Sequence, residues 1–430
     1  MAVHRHSIAN NKYMENYDPT KKSKYIMYLD ANNLYGYAMS QPLPTHGFRW
    51  MDLNELNNWQ NMPSILEVDL EYPIELHDLH NEYPLAAERL TIGKVEKLVP
   101  NLNDKFNYVI HHETLKLYLS LGLKITKIHK GITFNESPWL AEYIEMNTAL
   151  RTKATSNFEK DFFKLANNSV FGKTMENVRN RVDIRLVNDT EKLLKLASKP
   201  NFQSHIRFSD DLVAVQMKRT ELVLNKPIYL GMSILDISKN LMYNFHYNYI
   251  KQKFGSKAQL SYTDTDSLDY NIETEDIYED ISSDVSKWFD TSNYPKDHVD
   301  RDGNRSSIPV GVNKKIPGLF KDECGGKIMT ESICLRSKLR AFNVEGVGES
   351  KRAKGVKMST IKNDITLANY RECLYSGLPQ TRSMNVIRSR LHELYSERIT
   401  KVALCPKDDK RVILEDKIST LAIGHYSLRV

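Results

Sequence analysis

The segment AQLSYTDTDSLDYNI, residues 258–272, constrains this chain more than any other. Two runs rich in aromatic and β-forming residues flank an acidic turn, which reads as strand, tight turn, strand with the acids at the hairpin tip. Asp264 and Asp266 stand at i and i+2. On an extended backbone such residues point to the same side, and two carboxylates there repel unless a proton or cation offsets them. A hard divalent ion, Mg²⁺ or Mn²⁺, suits such a pair, because it takes few protein oxygens and completes its shell with water and phosphate. Taken alone, the same residues read equally well as an Asx-type turn capping a hairpin. A third carboxylate would decide between the two. Asp30 is the natural candidate, since it ends YIMYL at residues 25–29, a run that reads as a buried strand.

At 430 residues the chain is too long for one compact core and should divide into two to four units. Hydrophobic content of 41% with 27% charged residues is that of a globular protein rather than a disordered or fibrous one. The net charge of +6 permits a polyanionic partner without demanding one. Cys324, Cys334, Cys373 and Cys405 form no CxxC pair and no zinc-like spacing, which excludes a disulfide framework and implies a reducing, intracellular setting. His77 and His80, in ELHDLH, read as a solvated surface pair rather than a metal site. No apolar run approaches the roughly 20 residues of a bilayer span. The leader, residues 1–24, is polar and does not resemble a secretory signal, so a soluble protein with no membrane partner is expected.

Beyond the first strand, residues 41–152 mix prolines, charges and short apolar runs, as an α+β insertion would. EVDLEYPIEL and KITKIHKGITF are its candidate strands and HETLKLYLSLGL its helix. Residues 157–177 have helical periodicity. Phe158, Phe162, Leu165 and Ser169 are expected on a packed face, with Lys160, Lys164, Asn168 and Phe171 presented away from it. A second helix is expected at 233–249. Residues 278–307 read as loop, residues 316–346 as two or three strands split by Gly325 and Gly326, and RVILEDKISTLAI as a terminal hairpin.

In order along the chain, DANNLYGYAM (30–39), KLANNSVFGKT (164–174) and YTDTDS (262–267) resemble motifs A, B and C of the family B DNA polymerases. More narrowly they resemble the protein-primed type of viruses, linear plasmids and self-synthesising transposons. LRSKLRAFN lies where that family has its KxY primer-contact motif, and the resemblance covers residues 20–428. It implies an α+β fold with an antiparallel palm sheet, helical fingers, an α+β insertion and a small thumb. The corresponding divisions are a leader at 1–24, palm at 25–60, an insertion resembling a terminal-protein region at 61–150, fingers at 151–185, further palm at 186–345, and a thumb-like region at 346–430. It also implies DNA-directed addition of dNMP to a primer 3′-hydroxyl through two Mg²⁺ or Mn²⁺ ions held by Asp30, Asp264 and Asp266. Lys164, helped by Lys153 or Lys160, would bind the triphosphate. Asn168 and Phe171 would line the nascent pair, and Tyr35 would exclude a 2′-hydroxyl by occupying its space. Lys338, Arg340, Lys351, Lys354 and Lys357 would contact DNA, with Arg352, Lys362, Arg388 and Arg390 in the same basic region. The implied partners are primer–template DNA, dNTPs and a terminal protein.

The chain departs from the family pattern at three motif positions. Gly36 replaces a frequent Pro, Phe171 replaces a Tyr, and Arg340 replaces the KxY Tyr, exchanging a hydroxyl for a charge that can reach phosphate. Family members also carry an exonuclease before motif A, and the short stretch ahead of Asp30 implies synthesis without proofreading. Asp69 and Glu71 form a DxE in the wrong order and read as outward-facing strand acids. A non-catalytic DNA-binding remnant and a two-metal nuclease are the rival readings.

Overall fold

A computed structural model of the chain describes residues 1–390 and 393–428. Its centre is a five-stranded sheet in the order Ala258–Asp264, Ser267–Glu273, Lys24–Ala31, Phe320–Asp322, Phe289–Asp290. All pairings are antiparallel except the short edge pair Phe289–Asp290 with Phe320–Asp322. Tyr25, Ile26, Met27, Leu29 and Ala31 are all buried, so the motif A strand is covered on both faces, as its continuous apolar run required.

One long helical segment lies against this sheet. It begins as an α-helix, Ile228–Tyr243, and continues as a π-helix over Asn244–Lys251, a wider winding that the expected helix at 233–249 did not anticipate. The π stretch turns Phe245, His246, Tyr247 and Tyr249 into different surroundings within two turns. Phe245 stacks on Phe320 at 3.7 Å between ring centroids, and Tyr249 packs on Trp288. His246 Nδ1 meets Tyr270 Oη at 2.9 Å. Tyr243 and Tyr247 donate to the carbonyls of Pro84 and Tyr83, which ties the insertion to the palm.

The insertion is a four-stranded antiparallel sheet, ordered Leu43–Trp50, Lys124–Ser137, Ser64–Glu71, Lys105–His111, with the helix His112–Ser120. Its first strand lies inside the stretch expected to be palm, because Leu43 pairs with Ser137 rather than with the central sheet. Residues 183–217 also depart from expectation. Asp183–Val187, Phe202–Ser209 and Leu212–Met217 form a separate three-stranded sheet backed by the helix Thr190–Ala197, around a small core of Val187, Val215 and Met217. The helical segment packed on the central sheet begins only at Ile228.

The leader is not a loose polar arm. Ala2, Val3, Arg5 and Ser7 are buried, and His6–Ile8 pairs with Met329–Arg336 at the edge of a second sheet completed by Leu339–Val344 and Gly348–Ala353. Polarity concealed this, because Arg5 enters the interior by donating to the carbonyls of Leu335, Pro406 and Lys417. His77 and His80 are likewise buried, against Tyr72, Tyr247 and His425, and not on the surface. The short helices Ile277–Ile281 and Val285–Trp288 interrupt the region read as loop, while the strands beyond it and the hairpin Arg411–Ile413 with Thr420–Ala422 form as expected. In the thumb-like stretch, the helices Met358–Asp364 and Leu367–Ser376 precede a long hairpin, Gln380–Arg390 with Glu393–Leu404. Residues 391, 392, 429 and 430 of that stretch lie outside the described residues. Among the described residues no helix is long and apolar enough to cross a membrane.

Phe245 is fully buried among four aromatic rings. Phe245→Ala is expected to cost about 3–5 kcal/mol in urea unfolding; a loss below about 1 kcal/mol would mean that the π-helical segment is not what secures the sheet.

Candidate active site

Antiparallel register sets the site. Asp264 pairs with Ser267, Ser267 with Asp30, and Asp30 with Lys321, so these four residues form one row across four strands. Neighbouring strands are about 4.8 Å apart, which puts the Asp30 and Asp264 backbones about 10 Å from each other. Asp266 closes that gap from the hairpin loop. The backbone N–H of Asp266 donates to the Asp264 carbonyl at 2.8 Å across Thr265, whose φ is +62°. This is the positive-φ form of the γ-turn, strained for a β-branched residue. The turn corrects one expectation: Asp264 and Asp266 do not share one side of an extended segment. Asp266 and Asp30 line a common cavity and Asp264 joins them in lining a second one, where it lies 3.2 Å from Lys338 Nζ and accepts from Tyr262 Oη at 3.4 Å.

Burial pushes the Asp30 carboxyl up to about 7, and the neighbouring Asp266 and Glu323 add to the shift against Lys321 and Lys164. Burial, reinforced by Asp264, also raises Asp266. Neither carboxylate has a side-chain hydrogen bond or ion pair among the described residues. Two half-buried carboxylates that repel each other fit a hard divalent cation. Among the described residues no group of three or more His, Cys, Asp or Glu is disposed to hold a metal. Asp30 and Asp266 would therefore hold Mg²⁺ or Mn²⁺ with water and substrate oxygens in the other positions.

A cavity of about 400 Å³ opens beside this pair. Lys164 and Asn168, from the helix Asn157–Thr174, line it opposite Tyr35 of the motif A helix Leu34–Met39. A capping box between Ser156 and Glu159 starts the fingers helix. Its packed side is not the expected one. Phe158, Phe162 and Leu165 are 79%, 55% and 65% exposed, while Val170 and Phe171 pack toward Ala38, Met39 and Ile234. The helix carries two apolar stripes, and the one beside Lys164 packs against the motif A helix and the helix that begins at Ile228. Phe171 thereby stacks on Tyr35 at 4.5 Å and 27°.

Lys153 and Lys160 do not line this cavity; Lys153 borders a different one. Arg151 and Lys321, which the sequence reading missed, supply the additional positive charge. Lys321 could have been found from its place in a strand pairing with motif A, but nothing local marks Arg151. Its helix, Ala141–Lys153, is held at its end by Lys315 Nζ, which donates to the Arg151 carbonyl at 3.2 Å.

A second cavity, of about 480 Å³, is lined by Asp30, Asp264 and Asp266 together and by Lys338, Arg352 and Lys354. Arg340 is on its floor, only 6% exposed. Of the other basic residues, Lys351 pairs with Glu349 at 3.4 Å and Arg388 with Glu397 at 2.5 Å, while Lys357 Nζ donates to the Asn385 carbonyl. Lys362 and Arg390 are exposed. Asp69 and Glu71 alternate with buried residues on their strand, and Asp69 is taken up by His129 at 2.8 Å.

The folded chain holds the Asp30 proton more tightly than the unfolded chain does. The stability this contributes is therefore greatest below the ordinary carboxylate range and is lost as pH rises through about 7. Urea unfolding of metal-free protein should show that fall. Asp30→Asn should flatten it and add about 1–2 kcal/mol at neutral pH; an unchanged profile would mean that Asp30 ionises normally.

Residues 13–252 match the family model described as DNA polymerase type B, organellar and viral, a span that includes motifs A and B and ends before the YTDTDS hairpin. No curated protein matches the chain. Among solved structures, the ternary complex of Phi29 DNA polymerase with primer–template DNA and incoming nucleotides is similar in fold, with a TM-score of 0.52 at 14% identity, over 94% of this chain and 61% of that one. The post-translocation binary complex of the same polymerase with primer–template DNA gives a TM-score of 0.51 at 14% identity, over 93% and 60%. The chain thus spans about three fifths of the length of the polymerase it resembles. With more than half of its residues matched by that family model, the chain belongs to the organellar and viral type B DNA polymerases.

Proposed function

We propose that this chain catalyses template-directed addition of dNMP to a primer 3′-hydroxyl, with release of pyrophosphate. The observation that carries the reading is the pairing of Asp30 and Asp266, without side-chain partners, in a cavity walled by Lys164, Arg151 and Tyr35, on which Phe171 stacks. When bound there, two Mg²⁺ or Mn²⁺ ions would ease deprotonation of the 3′-hydroxyl and offset charge on the leaving group. The chain's own residues do the positioning. Lys164 and Arg151 hold the triphosphate by charge, and Lys321 balances the Asp30 side of the row. Tyr35, kept upright by Phe171, fills the space a 2′-hydroxyl would need. Lys338, Arg352 and Lys354 track the DNA backbone along the second cavity.

The Phi29 structures, described as complexes with primer–template DNA and incoming nucleotides, support these partners by likeness of fold. Priming from a terminal protein at residues 61–150 rests on the position of that insertion between motifs A and B. The pairing of Asp69 with His129 supports reading the DxE pair as strand acids. The free thiols suit a reducing, intracellular setting.

Purified protein should extend a primer with Mg²⁺ or Mn²⁺, and Asp266→Ala should lower incorporation by about 10²- to 10³-fold. Equally little product from both proteins would favour the non-catalytic remnant, and shortening of the primer would favour a nuclease. Tyr35→Ala should raise ribonucleotide use relative to deoxyribonucleotide by about tenfold or more; unchanged sugar discrimination would remove Tyr35 from that role.

A further inference from the structure

Two residues before the catalytic row lies a second one. Tyr262 pairs with Asp269, and Asp269 with Tyr28, on the same three strands that carry Asp264, Ser267 and Asp30. Because strand side chains repeat every two residues, both rows occupy the same face of the sheet. Arg340, from the neighbouring sheet, lies over the second row. Its guanidinium carbon is 3.9 Å from the Tyr28 ring centroid and 4.7 Å from that of Tyr262, and its Nη1 is 3.9 Å from Asp269 Oδ2. Ser332 Oγ donates to the same Asp269 oxygen at 3.1 Å. Phe342 closes the cage from the side at 5.4 Å. Tyr262 Oη in turn donates to Asp264 and accepts from the backbone N–H of Lys338 at 3.0 Å.

We infer that Arg340 is a positioning residue of the polymerase site: it clamps the tyrosine row so that the row carrying Asp30 and Asp264 keeps its spacing, instead of contacting a DNA phosphate. The inference rests on the polymerase reading above. The charge is only 6% exposed, stacked on two rings beside one carboxylate, so little of it reaches the cavity whose floor it forms. A planar, delocalised cation can stack on Tyr28 and Tyr262 together while remaining charged beside Asp269, which a lysine ammonium cannot do. Any shift of Tyr28 or Tyr262 is transmitted to Asp30 or Asp264 through two residues of shared backbone.

The test compares wild type with Arg340→Met, Arg340→Lys and the paired variant Arg340→Met with Asp269→Asn. The paired variant removes the buried carboxylate that the single change would strand, and serves if Arg340→Met does not fold. For each protein, kcat and the dNTP KM come from primer extension, the primer–template Kd from anisotropy over a salt series, and the Mn²⁺ affinity from EPR titration. Expected are a fall in kcat of about tenfold or more, a weaker Mn²⁺ affinity, a primer–template Kd within about twofold of wild type and an unchanged salt slope, with Arg340→Lys failing to restore kcat. A weakened Kd with a shallower salt slope and intact kcat would make Arg340 a phosphate contact and overturn the inference, as would full kcat in Arg340→Lys. If wild type incorporates nothing, the polymerase reading fails by itself. Mn²⁺ affinity then tests the clamp alone, and equal affinity in wild type and Arg340→Met would overturn it.

Discussion

The site depends on the pairing of the motif A strand with strands that come from more than two hundred residues later in the chain. Hydrogen bonding between Lys24–Ala31, Ser267–Glu273 and Phe320–Asp322 fixes Asp30 opposite Ser267 on one side and Lys321 on the other. A slip of one residue in this register would turn Asp30 to the opposite face and separate it from Asp266. The register is secured by what lies beneath. Both faces of the motif A strand are buried, so a slip would also expose apolar side chains.

The same geometry opposes stability locally. It brings Asp30 and Asp266 together in a half-buried place, raises both carboxyls, and forces Thr265 into the left-handed region. These unfavourable terms persist because the sheet around them is over-determined. The aromatic layer of the π-helical segment packs under it, the leader strand closes a second sheet beside it, and Arg340 covers the adjoining tyrosine row. The strain is concentrated at the hairpin tip, where Asp266 must stand out from the strand to face Asp30.

Local pattern made much of this legible. The strand ending at Asp30, the YTDTDS hairpin, the capped helix bearing Lys164 and the strands around Gly325 and Gly326 form where their residue patterns place them, because each is decided by period and turn chemistry within a few residues. The misread features depend on distant partners. Phe158, Phe162 and Leu165 read as a core stripe, yet the motif A helix docks against Val170 and Phe171 instead. His77 and His80 read as surface residues, yet the C-terminal hairpin and the π-helix enclose them. The leader's polarity hid buried positions whose polar groups are satisfied by backbone carbonyls far along the chain.

The sequence by itself determined which chemical groups are available and the elements that carry them: paired acids at a hairpin tip, an acid at a strand end, a lysine and an aromatic ring about two helical turns apart. Side-chain periodicity and turn propensity act over a few residues, so they can be read in one dimension. Only the tertiary structure decided which groups meet. It brought Asp30, Asp264 and Asp266 to one cavity and paired Asp264 with Lys338, because strand spacing and the γ-turn at Thr265 fix those distances. It brought Arg151 and Lys321 to the cavity beside Asp30 and Asp266 in place of Lys153 and Lys160, and it drew Arg340 inward, where two tyrosine rings and a buried aspartate offset part of the cost of burying its charge.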